Sequence, residues 1–261
     1  GLVRYTHRKT GDRDIYFVSN RTNRPVETVC TFRVKKAAPE LWNPLNGNMR
    51  KLPEYDHNDG RTTVPLQFEP HQSYFLVFNG SGTNQVSAEA EKNFPEKHRV
   101  MMLKGPWSVA FDPEWGGPAN VVFDSLTDWT ERPEKGIRHY SGMATYTKTF
   151  ELDDWAKGKS QHKKYFIDLG KVGCMARVLV NGKDQGVVWT APWRVEVTEA
   201  LQEGENKLEI RVANLWVNRL VGDASEADNG IQNGQWPDWL LEDGEKPGGR
   251  YTFTTHNYYN Q

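Results

Sequence analysis

The segment Val178-Leu-Val-Asn-Gly-Lys-Asp-Gln-Gly-Val-Val-Trp189 decides the fold. Val178 and Val180 alternate with Leu179 and Asn181, the period-two pattern of a strand with one face buried. Asn181-Gly182 suits the two positive-φ positions of a tight hairpin turn. A returning strand is expected over 184–189. Further strands are expected near 100–111, 119–124, 139–152, 163–169, 174–181, 193–198 and 206–216. In the 139–152 segment, Met143, Thr145, Thr147 and Thr149 point one way. Ala144, Tyr146, Lys148 and Phe150 point the other. Gly204-Glu-Asn206 reads as a turn, and Thr198-Glu-Ala-Leu201 as one capped helical turn. About eight short strands with little helix predict a jelly-roll β-sandwich.

The N-terminal part carries the same period. Val26, Thr28, Cys30, Phe32 and Val34 share a face, as do Val64, Leu66 and Phe68. Asp14–Asn20 and His71–Phe78 are short aromatic strands, and Asn46-Gly47 is a turn. This predicts a small antiparallel β-sandwich over 1–85. The Gly/Ser/Asn-rich Asn79–Gln85 stretch and the charged run after it place a linker over 86–98. The jelly roll then occupies 99–261. The expected class is all-β, a small sandwich followed by a larger one. Two such units fit a chain of 261 residues.

The formal net charge of −1 argues against a dedicated nucleic-acid binder, which would carry a basic face. No apolar run reaches the ~18 residues of a membrane helix. Cys30 and Cys174 lie in different expected domains. They read as two buried free thiols, with no metal-type Cys/His spacing. Gly1 before a strand-like start reads as a cleavage scar, so the natural protein is expected to continue upstream and also downstream of Tyr259. Asp223, Glu226, Asp228, Asp238, Glu242, Asp243 and Glu245 form an acidic run on a polar, Gly-rich tail. Oxygen-rich loops can hold Ca²⁺, but no EF-hand spacing is present and a solvated loop is the preferred reading. No cofactor is otherwise expected. Asn20-Arg-Thr22 and Asn79-Gly-Ser81 match the glycosylation pattern.

An ordered motif set carries a family resemblance. It comprises Gly105-Pro-Trp-Ser-Val-Ala-Phe-Asp-Pro-Glu-Trp-Gly-Gly-Pro118, Leu126-Thr-Asp-Trp-Thr130, Tyr140-Ser-Gly-Met-Ala-Thr-Tyr146 and Val178-Leu-Val-Asn-Gly-Lys183. Gly186-Val-Val-Trp189, Gly204-Glu-Asn206 and Asn214-Leu-Trp-Val-Asn-Arg-Leu220 complete it. The set resembles the C-terminal jelly roll of α-L-rhamnosidase-like glycoside hydrolases of family 106. It is also similar to the galactose-binding-like, sugar-binding domain of family 2 enzymes. Tyr5-Thr-His-Arg8, Asp14–Asn20 and Leu41-Trp-Asn-Pro-Leu-Asn-Gly47 resemble the β-domain that follows the catalytic barrel. The resemblance implies an exported bacterial protein whose partners are an upstream catalytic barrel of the same polypeptide and a plant or microbial glycan. It also implies that the catalytic carboxylates belong to the barrel, so no catalytic residue is assigned here.

The residues themselves offer carbohydrate-contact candidates. A pyranose presents an apolar C–H face and a rim of hydroxyls, so a flat indole beside polar groups suits it. The chain has ten Trp. Trp115, Trp189 and Trp193 are expected on loops, whereas Trp107, Trp129 and Trp216 are expected in the core. Asp112 and Glu114 flank Pro113 beside Trp115. Glycoside hydrolysis needs two carboxylates facing the sugar, but Pro113 breaks the strand ladder, so this segment reads as a turn. His7 and Arg8 are candidates for lining a shared active site. Two rival readings stand beside the accessory-region reading. One is an autonomous carbohydrate-binding module. The other is a purely structural domain, which expects Trp115, Trp189 and Trp193 all to be buried.

Overall fold

The computed structural model describes residues 1–79, 92–153, 163–224 and 238–242. The chain forms two compact units, Gly1–Met101 and Met102–Gln261. Among the described residues the strands are antiparallel throughout.

The first unit contains β1 (Val3–Thr10), β2 (Arg13–Asn20), β3 (Val26–Phe32), β4 (Pro39–Trp42), β5 (Met49–Lys51), β6 (Asp56–Asn58), β7 (Arg61–Phe68) and β8 (Ser73–Asn79). A five-stranded sheet runs β1-β2-β8-β4-β5, and a three-stranded sheet runs β3-β7-β6. The alternating residues that predicted the strands build the core. Tyr16, Val18, Phe32, Val64, Leu66, Phe68, Leu76 and Phe78 pack between the sheets. Pro65 lacks an N–H, yet it sits within β7. It pairs with Val29, beyond the point where β6 stops, at Asp56 opposite Thr63. There Asn93 takes over. Its side-chain amide donates to the Pro65 carbonyl at 3.1 Å and to the Glu54 carbonyl at 2.6 Å, and its Oδ1 accepts from Glu54 N–H. Asn93 is fully buried, and Phe94 packs on the same core. The far end of the expected 86–98 linker is thus built into the first unit, because a buried amide with satisfied bonds holds the backbone in place.

The second unit contains β9 (Trp107–Ala110), β10 (Val121–Phe123), α1 (Lys135–Arg138), β11 (Met143–Leu152), β12 (Phe166–Asp168), β13 (Met175–Val180), β14 (Lys183–Val188), β15 (Arg194–Glu196), β16 (Gly204–Ala213), α2 (Val217–Ala224) and α3 (Asp238–Leu241). A six-stranded sheet runs β10-β9-β11-β16-β13-β14, and β12 pairs with β15. Ala144, Tyr146, Ala176, Val178, Val180, Leu208 and Ile210 supply the inner face, with Trp107 and Trp129 in the same core. Asn181 and Gly182 take φ of 50° and 77°, the turn the dipeptide predicted.

Several expectations need correction. The 206–216 strand ends at Ala213, because Asn214 closes it. Its Nδ2 donates to the Tyr140 carbonyl and its Oδ1 accepts from Gly142 N–H. The chain then turns into α2, which leaves Trp216 57% exposed rather than in the core. The 100–111 strand begins only at Trp107, since Gly105 lies against the backbone of Asp124 and Pro106 has no N–H to donate. Thr198 does not cap the 3-10 turn Thr198–Ala200. Its hydroxyl accepts from Tyr165 N–H instead. Cys30 and Cys174 are free but only half-buried. Asn20 is buried, with its side-chain amide bonded to the Arg24 and Glu69 carbonyls, so its glycosylation motif is not presented to solvent.

Candidate functional site

Strand direction alternates across β9, β11, β16, β13 and β14, so one end of the six-stranded sheet gathers particular loops. At that end lie the chain after β9, the chain before β11, the chain after β16, the chain before β13 and the chain after β14. Trp115 and Trp189 therefore emerge at the same end, but on opposite sides. The two strands are four spacings apart, about 19 Å.

Asp112, Glu114 and Trp115 share one 3-10 turn, Pro113–Trp115, as Pro113 predicted. Asp112 caps it, its carboxylate accepting from Glu114 N–H at 2.9 Å. Gly116 closes the turn at φ 81°, a left-handed value that suits glycine. The turn is fixed from below by Tyr140, whose hydroxyl accepts from Asp112 N–H and donates to the Met143 carbonyl. Burial raises the Tyr140 phenol above its usual pKa, opposed by the bond from Asp112. Trp115 is 49% exposed and Trp189 56%, while Trp193 is half-buried. Next to Trp193, Arg194 makes a two-pronged contact with Asp168. Asp112 thus serves the turn as its cap through Oδ1, as a residue before a Pro-led 3-10 turn does.

His7 and Arg8 lie in the first unit, on β1. His7 Nε2 meets Asp14 Oδ1 at 2.7 Å, and its ring stacks on Tyr16 with centroids 4.1 Å apart. Arg8 is exposed. Sequence reasoning missed an open groove of about 430 Å³ nearby, lined by Lys9, Asp12, Asp14, Arg33, Lys35 and Phe78 among others. Its charged residues come from two separate stretches, 9–14 and 33–35, so no local motif announced it. Sequence reasoning also missed α2. The spacing of Val217 with Val221, and of Arg219 with Asp223, was the available signal.

Of the acidic run considered for Ca²⁺, Asp223 is bound to Arg219. Asp238 and Glu242 are also described, whereas Glu226, Asp228, Asp243 and Glu245 lie outside the described residues. Among the described residues no group of three or more His, Cys, Asp or Glu is placed to hold a metal ion. No described helix is long and apolar enough to cross a membrane.

The fold defines an all-β protein whose second unit is a galactose-binding-like sandwich. Comparison with known proteins adds the family likeness. Residues 1–57 match the α-L-rhamnosidase family of glycoside hydrolases, family 106, and residues 128–244 match the galactose-binding-like domain of family 2. The rhamnosidase from Novosphingobium sp. PP1Y is 34% identical with a TM-score of 0.76. The match covers 87% of this chain and 21% of that one. A Formosa agariphila protein named "Putative beta-glucuronidase" is 36% identical over 223 residues, which are 84% of this chain and 18% of that protein. The chain thus spans about a fifth of the length of these relatives.

Proposed function

We propose that this chain is a non-catalytic accessory region of a longer, exported glycoside hydrolase acting on rhamnose-containing plant or microbial glycans. Its first role is to brace the catalytic domain. Its second is to offer Trp115 and Trp189 to carbohydrate. The observation that carries the reading is the likeness to the Novosphingobium rhamnosidase, which takes in most of this chain but a fifth of that one. The exposure of Trp115 and Trp189 runs against a purely structural domain and favours glycan contact.

The test is an assay of the 261-residue chain on an aryl α-L-rhamnoside, beside calorimetric titration with rhamnose-containing oligosaccharides. No turnover is expected, and turnover by this chain alone would overturn the reading. Binding that Trp115→Ala or Trp189→Ala weakens supports the glycan role. No heat at millimolar sugar removes that role and leaves the bracing one.

A further inference from the structure

Helix α2 is polarised in the opposite sense to an ordinary surface helix. A helix on a soluble protein turns its apolar stripe inward and its charges outward. In α2, Val217 and Val221, one turn apart, are 60% and 58% exposed. On the opposite side Arg219 and Asp223, also one turn apart, face inward. Their contact is 3.1 Å, with side-chain exposures of 12% and 0%. The inward pair is anchored. Arg219 donates to the Trp115 carbonyl at 3.3 Å, and Arg219 N–H donates to Ser141 Oγ. The orientation of the helix is therefore fixed by polar bonds, and the apolar side is held outward.

The outward side continues onto the sheet. Leu215 and Trp216, which lead into α2, are 63% and 57% exposed. Ala213 ends β16, and both its neighbours in the ladder are exposed methionines, Met143 on β11 and Met175 on β13. Six large exposed apolar side chains thus lie on α2, on the two residues leading into it and on the sheet rows beside Ala213. Five of the six are Met, Leu or Val, which are flexible or convex and lack the flat face a sugar ring uses, and Trp216 is the one flat ring among them. Their chemistry suits the apolar core of a contact with folded protein.

We infer that this patch is the docking surface for the remaining part of the longer polypeptide, an interface within one chain. This rests on the accessory-region reading above. The length of the relatives favours a covalently linked occupant, because they carry about four fifths of it outside the matched span. A tethered domain also needs less buried area than the roughly 800 Å² per partner of a stable complex between separate proteins, because the linkage supplies a high effective concentration.

Hydrogen exchange of residues 215–221 in the full polypeptide encoded by the gene, against the 261-residue chain, tests this. Exchange is expected to be at least about tenfold slower in the full polypeptide. The V217E/V221E variant should erase that difference and split one cooperative thermal transition into two, while leaving the unfolding of the 261-residue chain unchanged. Equal exchange in both forms overturns the proposal. So does a gene that encodes nothing beyond this chain. A dimer of the 261-residue chain that V217E/V221E abolishes overturns it in favour of self-association. Rhamnose-oligosaccharide binding that the same variant weakens overturns it in favour of a glycan site. Rhamnosidase assay of the full polypeptide reads the functional proposal separately. An inactive polypeptide with slowed exchange keeps the interface, and an active one without it keeps only the function.

Discussion

Asn181 donates its side-chain amide to the side-chain oxygen Oδ1 of Asn206 at 2.9 Å, joining two motifs that lie 25 residues apart in sequence. Asn181 is the first turn residue of the β13–β14 hairpin, and Asn206 stands near the start of β16. The bond does not stand alone. Asn206 also accepts from Gln202 N–H and donates to the Gln202 and Gly204 carbonyls. Asn181 Oδ1 accepts from Lys207 N–H. The Val-Asn-Gly and Gly-Glu-Asn segments are therefore one structural device. They fix the hairpin tip against the β16 corner, at the end of the sandwich opposite Trp115 and Trp189.

Asn206 is fully buried, so removing its amide strands backbone groups away from water. Asn206→Ala should cost about 2–4 kcal/mol. Asn181→Ala should cost less, since that residue is half-buried. Denaturant unfolding of the two single variants and the double variant should show coupling of more than about 0.5 kcal/mol. Additive losses would mean that the two corners are held independently.

These bonds explain how far the sequence could be read. Alternation in β3, β7, β11 and β13 reports burial directly, so the two sandwiches were visible in the residues. Asn181-Gly182 announced its hairpin through backbone conformation. The end of β16 was not visible. It depends on Asn214 reaching Tyr140 and Gly142, more than 70 residues away in sequence. Trp216 was misplaced for that reason, since a strand continued through it would have buried it. Asp112 and Glu114 read correctly as a turn because Pro113 acts locally. The near-core position of Asn93 did not show, because its partners Glu54 and Pro65 are distant in sequence. The candidate contacts of Trp115 and Trp189 were legible only as residue types, and their separation across four strands needed the sheet order.

Trp129 donates its indole N–H to the Tyr146 hydroxyl at 2.5 Å, inside the core of the second unit. Tyr146→Phe keeps the ring but leaves that N–H unpaired, and should cost about 1–3 kcal/mol. The pH dependence follows from the Tyr146 phenol. Burial raises its pKa above the usual value, partly offset by the bond from Trp129. A raised pKa means that the native state holds the proton more tightly. The stabilisation is complete below the unfolded value of about 10 and is lost as pH rises through the folded value. Urea midpoints at neutral and strongly alkaline pH should fall less steeply in Tyr146→Phe than in the wild type. Some slope should remain, since burial also raises Tyr74 and Tyr140.

Asp128 gives the opposite sign. Its carboxylate accepts from Thr130 N–H at 2.9 Å and from the Thr130 hydroxyl at 2.7 Å, capping the 3-10 turn Trp129–Glu131. Those two bonds hold its pKa below the ordinary aspartate range. The stabilisation is present above the unfolded value of about 3.9 and disappears as pH falls through the lower folded value. Asp128→Ala should cost about 1 kcal/mol at neutral pH, and the gap to the wild type should close in acid. Asp128→Asn keeps a capping oxygen and should show neither the loss nor its pH dependence. Thermal unfolding across the acid range separates the three proteins.

The Trp115-Gly-Gly117 segment separates a structural residue from a surface one within three positions. A Cβ added at Gly117 would lie 2.5 Å from Phe111 Cβ and 2.8 Å from the Tyr140 ring, both in the core. Phe111 and Tyr140 already meet edge to face with centroids 4.9 Å apart, so neither can withdraw freely. Gly117→Ala should destabilise the second unit by about 1–3 kcal/mol through overpacking. The Trp115 side chain projects outward, and Arg219 bonds to its carbonyl rather than to its ring. Truncation to alanine keeps that bond and empties no core volume. Trp115→Ala should therefore leave stability within about 0.5 kcal/mol. Denaturation of both variants beside glycan titration distinguishes the roles. A large stability loss in Trp115→Ala would place the indole in the fold and remove it from the sugar-contact proposal. Unchanged stability with weakened glycan binding would keep it there, because the flat exposed face would then be the only thing the substitution took away.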